Sequence, residues 1–340
     1  MKMNIRRRRG FVAAAASVLV VGLAITGCSG SAGGGGSTGD AASDILRRGA
    51  SIDAPSGPGS GYDQTARAIE QTLTSEELVS RVQVTNVEGA GGTVALADFV
   101  TKTDPSEWMI GGLSLVGASI TNDAPNTLSE LTPVARLIGE YDVIVVPESS
   151  PHETLQDFLD ALAEDPGSNP IAIGNQGGYD HMWGGLLAQD AGLEATDVNF
   201  VTFDGGGEAL IALLGNQVAA GISGYGEFAD SIENGDLRVL ATASAEPLAV
   251  APDAPTIADA GYPESAMVNW RGVFAPPGIS EADLATLEKL FADMVASASW
   301  KEILETNGWS DEFLDSEGFK AALEESETQT QQLLEDLGLV

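Results

Sequence analysis

ASIDAPSGPGSGYDQTARAIEQTL, running from Ala50 to Leu73, is the stretch that decides the fold class. Ala50–Ala54 has the character of a strand, the chain then turns through Pro55, Gly57, Pro58, Gly59 and Gly61, and Asp63–Leu73 carries a helical pattern. A strand that passes through glycine into a helix is the unit of a doubly wound α/β sheet, where ligands gather at the carboxyl ends of the strands. Glycine permits positive φ and lets a ligand come close to the backbone. The helix that follows offers unpaired N–H groups and the positive end of its dipole, an anion site that needs no lysine. Asp63 stands where an N-cap is expected, and capping is its plain reading; ligand contact is the other. Arg67, one turn on, is its expected ion-pair partner.

The same alternation continues along the chain. Further candidate strands are Val82–Val87, Trp108–Gly112, Val143–Pro147, Ile171–Gly174, Val198–Phe203, Gln217–Ile222, Arg238–Ala243 and Val268–Ala275. Helical patterns lie between them, as at His152–Ala163, His181–Ala191 and Gly207–Leu214. This order predicts parallel sheets with helices on both faces. The tail, Ser280–Val340, reads as two or three helices without a strand, and no internal repeat or heptad run is found.

Three more junctions carry glycine. Glu88-Gly89-Ala90-Gly91-Gly92-Thr93 follows a strand, but the third glycine of a dinucleotide fingerprint would fall at Val94. Gly174-Asn175-Gln176-Gly177-Gly178-Tyr179-Asp180-His181 and Phe203-Asp204-Gly205-Gly206-Gly207-Glu208 complete the set. Each alone reads equally as an ordinary turn. Together, with no catalytic constellation beside them, they point to an anion pocket lined by backbone. His181 is a ligand donor or a first-turn helix residue, while His152 reads as a surface residue near a helix start. Met182 and Trp183 are expected to pack against a sheet. Arg271, in Trp270-Arg271-Gly272, is a pocket cation or half of a lobe-bridging ion pair.

The amino terminus describes export. Lys2 and Arg6 to Arg9 form a positive n-region, followed by an apolar run from Phe11 to Ile25. A membrane-spanning helix needs about 20 apolar residues, so the run fits the h-region of a removable signal. Arg8-Arg9-Gly10-Phe11-Val12 also matches a twin-arginine core, leaving the Sec and twin-arginine routes both open. Ile25-Thr26-Gly27-Cys28 resembles a bacterial lipobox, and lipidation accounts for the chain's single cysteine, Cys28. The plainer alternative is a secreted protein with an incidental thiol. Residues 1–27 are thus read as the signal and 28–44 as the lipidated cysteine with a Gly/Ser linker, a coil reaching roughly 20 Å. The ordered body begins near Asp44 or Ile45.

Charge and composition exclude several functions. Loss of the five leader bases leaves 11 basic against 50 acidic residues, a net charge near −39. Nucleic-acid binding needs a basic face and is not expected. So large a charge keeps a protein soluble but repels its own compact state, which salt relieves. One cysteine and two separated histidines give no metal-ligand spacing, and no cofactor is expected. Gly221-Ile222-Ser223-Gly224-Tyr225 lacks the last glycine of a nucleophile elbow, so the chain is not read as an enzyme.

PSGPGSGYDQTAR from Pro55, NVEGAGG from Asn86, GNQGGYDH from Gly174, FDGGGEALIALLGNQV from Phe203 and NWRGVFAPPGIS from Asn269 together resemble the solute-binding proteins of tripartite tricarboxylate transporters. Ala254-Pro255-Thr256-Ile257-Ala258-Asp259-Ala260-Gly261 is similar to another recurring segment of that family, so the likeness runs from about Ile45 to the C-terminus. The resemblance implies two mainly parallel α/β lobes of the periplasmic-binding-protein type, 45–146 plus 250–340 and 147–249, closing on a ligand. It also implies carboxylates held by backbone N–H groups and waters, in a pocket of positive potential inside a negative shell. Ligand contact then falls on Ser56, Gly57, Gly59, Gly61, Tyr62 and Asp63, on Gly91 and Gly92, on Gly177, Gly178, Tyr179 and His181, and on Asp204, Gly205, Gly206 and Gly207. Ser60 and Tyr62 depart from the family's commoner glycine and tryptophan, and the phenol offers an extra hydroxyl. The implied role is a monomeric, lipid-anchored receptor on the outer face of the cytoplasmic membrane, capturing a di- or tricarboxylate, citrate first, for a large and a small membrane subunit. A receptor that reports another small organic anion to a signalling partner is the alternative, and neighbouring transporter genes would separate the two.

Overall fold

The computed structural model describes residues 48–203 and 206–340, and the leader, Cys28 and the linker lie outside them. The alternation read from the sequence becomes β1 (Ala50–Ala54), α1 (Gly61–Ser75), β2 (Val82–Asn86), α2 (Thr93–Phe99), β3 (Glu107–Gly112), α3 (Leu113–Thr121), β4 (Thr132–Glu140) and β5 (Asp142–Pro147). It continues with α4 (Leu155–Glu164), β6 (Ile171–Ile173), α5 (Tyr179–Asp190), β7 (Phe200–Thr202), α6 (Gly206–Leu214), β8 (Ala220–Gly224), α7 (Tyr225–Glu233) and β9 (Leu237–Thr242). Then come β10 (Asn269–Ala275), α8 (Glu281–Ala296), α9 (Ala298–Asn307), β11 (Ser310–Leu314) and α10 (Ser316–Asp336).

The strands form two sheets, ordered β11-β4-β10-β3-β1-β2 and β7-β6-β8-β5-β9. Pairing is mixed, not mainly parallel. β1 lies parallel to β2 and β3, and β6 parallel to β7 and β8. β10 runs antiparallel to β3 and β4, β11 to β4, and β5 to β8 and β9. The physical reason is connectivity. A parallel neighbour requires a long crossover, usually a helix, whereas a strand arriving from the other sheet is free of that constraint. β4 ends at Glu140 and β5 begins at Asp142, so the chain changes sheets across Tyr141 alone.

Two strands were not legible. β4 contains Pro133, Arg136 and Gly139 and breaks register against β10, so its apolar alternation is irregular. β11 overturns the expectation of a strand-free tail. It is a partly exposed edge strand of sequence SDEFL, and polar edges of this kind resist sheet-to-sheet aggregation.

Side-chain alternation divides the core. Val143 and Val145 of β5 face one apolar cluster with Phe228 and Leu213, while Ile144 and Val146 face another with Trp183 and Phe158. The second of these is continuous across the molecule, since it also holds Met109, Trp270, Phe274 and Leu334. A third cluster, with Ile52, Trp108, Phe291 and Trp300, covers the far side of the six-stranded sheet. Met182 and Trp183, expected to pack against a sheet, are fully buried, and the Trp183 indole N–H donates to the Ser265 carbonyl at 3.0 Å. Each such side chain contributes roughly 1.5–3 kcal/mol of transfer free energy, which a chain without described disulfides depends on.

Candidate functional site

The first junction folds as the sequence suggested, with one exchange of roles. Ser60, not Asp63, is the N-cap of α1, its Oγ accepting the Asp63 N–H at 3.4 Å and donating to the Gly57 carbonyl at 2.7 Å. Asp63 is two per cent exposed and reaches back along the loop. Its carboxylate accepts from the Gly59 N–H at 2.8 Å, Arg67 Nε at 2.8 Å and Asn86 Nδ2 at 2.9 Å. Burial works to raise its pKa, but the hydrogen bonds from Arg67, Gly59 and Asn86 outweigh burial and hold it low. Asp63 therefore locks the loop and is spent on doing so.

A cavity of about 720 Å³, counted with its open mouth, lies where the junctions of both sheets meet. Of the residues anticipated from the sequence, Ser56, Gly57, Gly61, Tyr62, Gly91, Gly92 and Arg271 line it. Gly61 allows this closeness. A Cβ there would sit 2.6 Å from the Arg271 Cζ and nearer still to Nη2. The Tyr62 hydroxyl accepts the Leu115 N–H at 2.9 Å, and burial, partly offset by Arg271, raises its pKa. The phenol is thus tied to α3 as well as turned toward the cavity.

Other anticipated residues have different work. Gly59 lies outside the lining and donates to Asp63. Gly177 is buried against α3, where the Thr121 hydroxyl donates to the Gln176 carbonyl at 3.2 Å, and Gly178 is buried against the Asn175 side chain. Tyr179 is fully buried, with its hydroxyl donating to the Met267 carbonyl and its N–H to Ser114 Oγ at 3.1 Å. His181 is four per cent exposed, its Nδ1 accepts the Gly177 N–H at 3.0 Å, and its ring meets Phe200 edge-on. Burial lowers the His181 pKa to about 4, so the ring is a neutral packing element of the first turn of α5. Asp204 and Gly205 lie outside the described residues, while Gly206 and Gly207 open α6.

Arg271 stands in the cavity wall, as the pocket alternative expected, and is ion-paired there as well. It is five per cent exposed and pairs with Glu140, itself one per cent exposed, on the adjacent strand of the same sheet. The pair lines up within one sheet and does not bridge the two. Thr65 Oγ1 accepts from Nη1 at 3.4 Å, the guanidinium lies 5.7 Å from the Tyr62 ring centre, and Trp309 Nε1 donates to Glu140 at 3.2 Å. Gly224 makes room for the glutamate, because a Cβ there would stand 2.6 Å from its Cδ.

The lining also contains groups that sequence reasoning passed over. Ser114, at the start of α3, and Ser223, Gly224 and Glu227, at the β8-to-α7 turn, face the cavity, as do Asp142 and Asn269. The signal for two of these turns was present, since Gly111-Gly112 and Gly224 are again glycines between a strand and a helix. Asp180 lines the cavity too, its Oδ2 accepting the Gly174 N–H at 2.6 Å, and burial raises its pKa despite that bond. With Glu88, Asp142, Asp180 and Glu227 on the wall and Arg271 committed to Glu140, the side chains are acidic. Among the described residues, the groups left to attract an anion there are mainly backbone N–H groups and helix N-termini, those of α1, α5 and α7 among them. Among the described residues no cluster of His, Cys, Asp and Glu is arranged to hold a metal ion.

Comparison with known proteins gives a consistent result. The sequence pattern of the tripartite tricarboxylate transporter family receptor matches residues 65–339. Protein BugT of Bordetella pertussis is 30% identical over 263 residues, covering 75% of this chain and 78% of that protein. Among solved structures, MatC of Rhodopseudomonas palustris with bound malate aligns with a TM-score of 0.77 at 22% identity, over 85% of this chain and 99% of that one. A second R. palustris protein, solved with adipate, aligns with a TM-score of 0.78 at 20% identity, over 86% and 97%. Both share this chain's fold, as does the periplasmic binding protein BugD, with a TM-score of 0.78 at 19% identity over 85% of this chain and 97% of that one; the fold is the two-lobed binding-protein type.

Proposed function

This chain belongs to the tripartite tricarboxylate transporter receptor family, and on that premise we propose that it captures a small di- or tricarboxylate outside the cytoplasm for a tripartite transporter. The observation that carries the reading is the cavity at the carboxyl ends of strands from both sheets, where glycine turns and helix N-termini converge. An oxyanion placed there meets main-chain N–H groups and helix dipoles. The malate and adipate held by the two R. palustris proteins are of the same chemical class, and citrate is the leading candidate here. The chain acts as a receptor and not as a catalyst.

Ligand contact is assigned first to Ser56, Gly57, Gly61, Tyr62, Gly91, Gly92 and Arg271. The expected first lobe boundary at 146/147 moves back to Tyr141, because β5 pairs with β8 and β9 of the second sheet; the lobes so divided, up to Glu140 with 250–340 and from Asp142 to 249, close over the ligand, and the receptor works as a monomer. Cys28 carries the lipid that holds it to the outer face of the cytoplasmic membrane, where the large and small membrane subunits receive the ligand. A Cys28→Ser protein that stays in the membrane fraction would remove the anchor from this account.

A thermal-shift screen of the mature protein against carboxylates, sugars and amino acids tests the assignment. Ligand at a hundredfold its dissociation constant adds about 2.7 kcal/mol, a shift of several degrees. A shift with citrate or a close relative, absent with sugars, supports the reading and names the substrate. No shift with any carboxylate, with or without divalent metal, would leave the fold and remove the tricarboxylate.

A further inference from the structure

Asp142 is the one buried carboxylate in the cavity wall whose Oδ2 lacks a hydrogen-bond partner among the described residues. It opens β5 immediately after the chain crosses between sheets, opposite Gly224 of β8, and is one per cent exposed. The groups that face it are Glu140 on β4 with its neighbour Tyr141, Tyr179 and Asp180 on α5, Glu227 on α7 and Arg271 on β10. The single cation in that set is already paired with Glu140, and Asp180 is occupied by the Gly174 N–H.

An ionised carboxylate in this position would carry an unsatisfied oxygen among three other acids, which is expensive in a low dielectric. Burial first, then repulsion from Asp180, Glu140 and Glu227, raises the Asp142 pKa well above the carboxylate range, with Arg271 opposing. A neutral carboxyl turns the orphan acceptor into an O–H donor. Two carboxyl groups that meet at hydrogen-bond distance share one proton, because like charges so close cannot both persist.

We propose that Asp142 is a ligand-binding residue that meets one carboxylate of the ligand as a carboxylic acid, donating the proton of Oδ2 into the complex. The proposal rests on the carboxylate-receptor reading and deepens it. It explains how an acidic wall accepts an anion, since the proton removes one negative charge and supplies a donor where the ligand needs one. The proton comes from solvent whenever the free protein is above the Asp142 pKa, so capture is then linked to proton uptake.

Calorimetric titration of the mature protein with succinate, malate, aspartate and citrate tests this between pH about 6.5 and about 9.5, in two buffers of different ionisation enthalpy. The first three keep their carboxylates ionised across that range. Affinity for the ligand that binds is expected to fall as pH rises, by up to tenfold per pH unit, with up to one proton taken up per ligand. Asp142→Asn, whose amide N–H donates without titrating, is expected to bind within about tenfold of the low-pH affinity and to lose the pH dependence. A wild-type affinity that is flat or rises with pH, or binding confined to ligands bearing a hydroxyl or ammonium group and lost in Asp142→Asn, overturns the proposal. The second pattern would make Asp142 an ionised acceptor. The wild-type series decides the matter even where the variant does not fold. Binding of no carboxylate at any pH overturns the receptor reading with it, whereas pH-independent carboxylate binding overturns the proton alone.

Discussion

Arg271→Met is expected to destabilise the ligand-free protein by about 3–5 kcal/mol, because it strips a buried glutamate of its counter-charge. Glu140 is one per cent exposed, and after the substitution its carboxylate keeps, among the described residues, the Trp309 indole donor at 3.2 Å. The methionine fills much of the volume, so the loss reports the stranded charge more than a cavity. The lost contacts to Thr65 and the Tyr62 ring are smaller additions. The assay is denaturant unfolding followed by tryptophan fluorescence, where the midpoint should fall at unchanged m. In a thermal scan the same loss is on the order of 10 °C. Two controls separate this cause from general damage. Glu140→Gln in the Arg271→Met background removes the stranded charge, keeps an acceptor for Trp309 and should restore most of the stability. The destabilisation should also survive high salt, which screens buried pairs little. A loss under about 1 kcal/mol, or a double variant as unstable as the two singles combined, would refute the reasoning.

Three further outcomes are expected. Gly61→Ala drives a Cβ into the pinned guanidinium of Arg271, so carboxylate affinity should drop at least tenfold and stability by about 1–3 kcal/mol; normal calorimetric affinity would show that Arg271 can move aside. Asp63 is held below its ordinary pKa, so its stabilisation is present above the unfolded-state value of about 4 and is lost as pH falls through the lower folded value. Asp63→Asn should therefore lower the urea midpoint at pH about 7 and flatten its decline toward pH about 3; parallel curves for the two proteins would contradict the clamp. The net charge near −39 expected of the mature chain (11 basic against 50 acidic residues) predicts that salt speeds capture of an anionic ligand, and stopped-flow rates that fall with ionic strength would count against this.

Local patterns decided a good part of the molecule before any packing was considered. The α/β class, the glycine turns from Ser56 to Gly61 and at Gly91 and Gly92, and the Asp63–Arg67 pair follow from spacings within one or two turns of chain. Such features depend on backbone torsion, helix periodicity and dipoles, which neighbouring residues set themselves. His181 and Tyr179 misled for the same reason. Their place beside a glycine turn is plain from the sequence, but the direction of each side chain depends on what packs over it, here Phe200 and the Met267 carbonyl.

Tertiary structure decided which distant residues share the cavity and which charges meet. Glu140 finds Arg271 only because β4 and β10 are neighbours, and Ser114 reaches the start of α5 only because α3 packs against that helix. Asp142 was one acid among 50 in the sequence. Its distinction, an oxygen without a partner in a wall of other acids, arises where the chain crosses between sheets at Tyr141. The reason is physical: pairing order, burial and the sum of surrounding charges are properties of the packed chain, and residues far apart in sequence supply them.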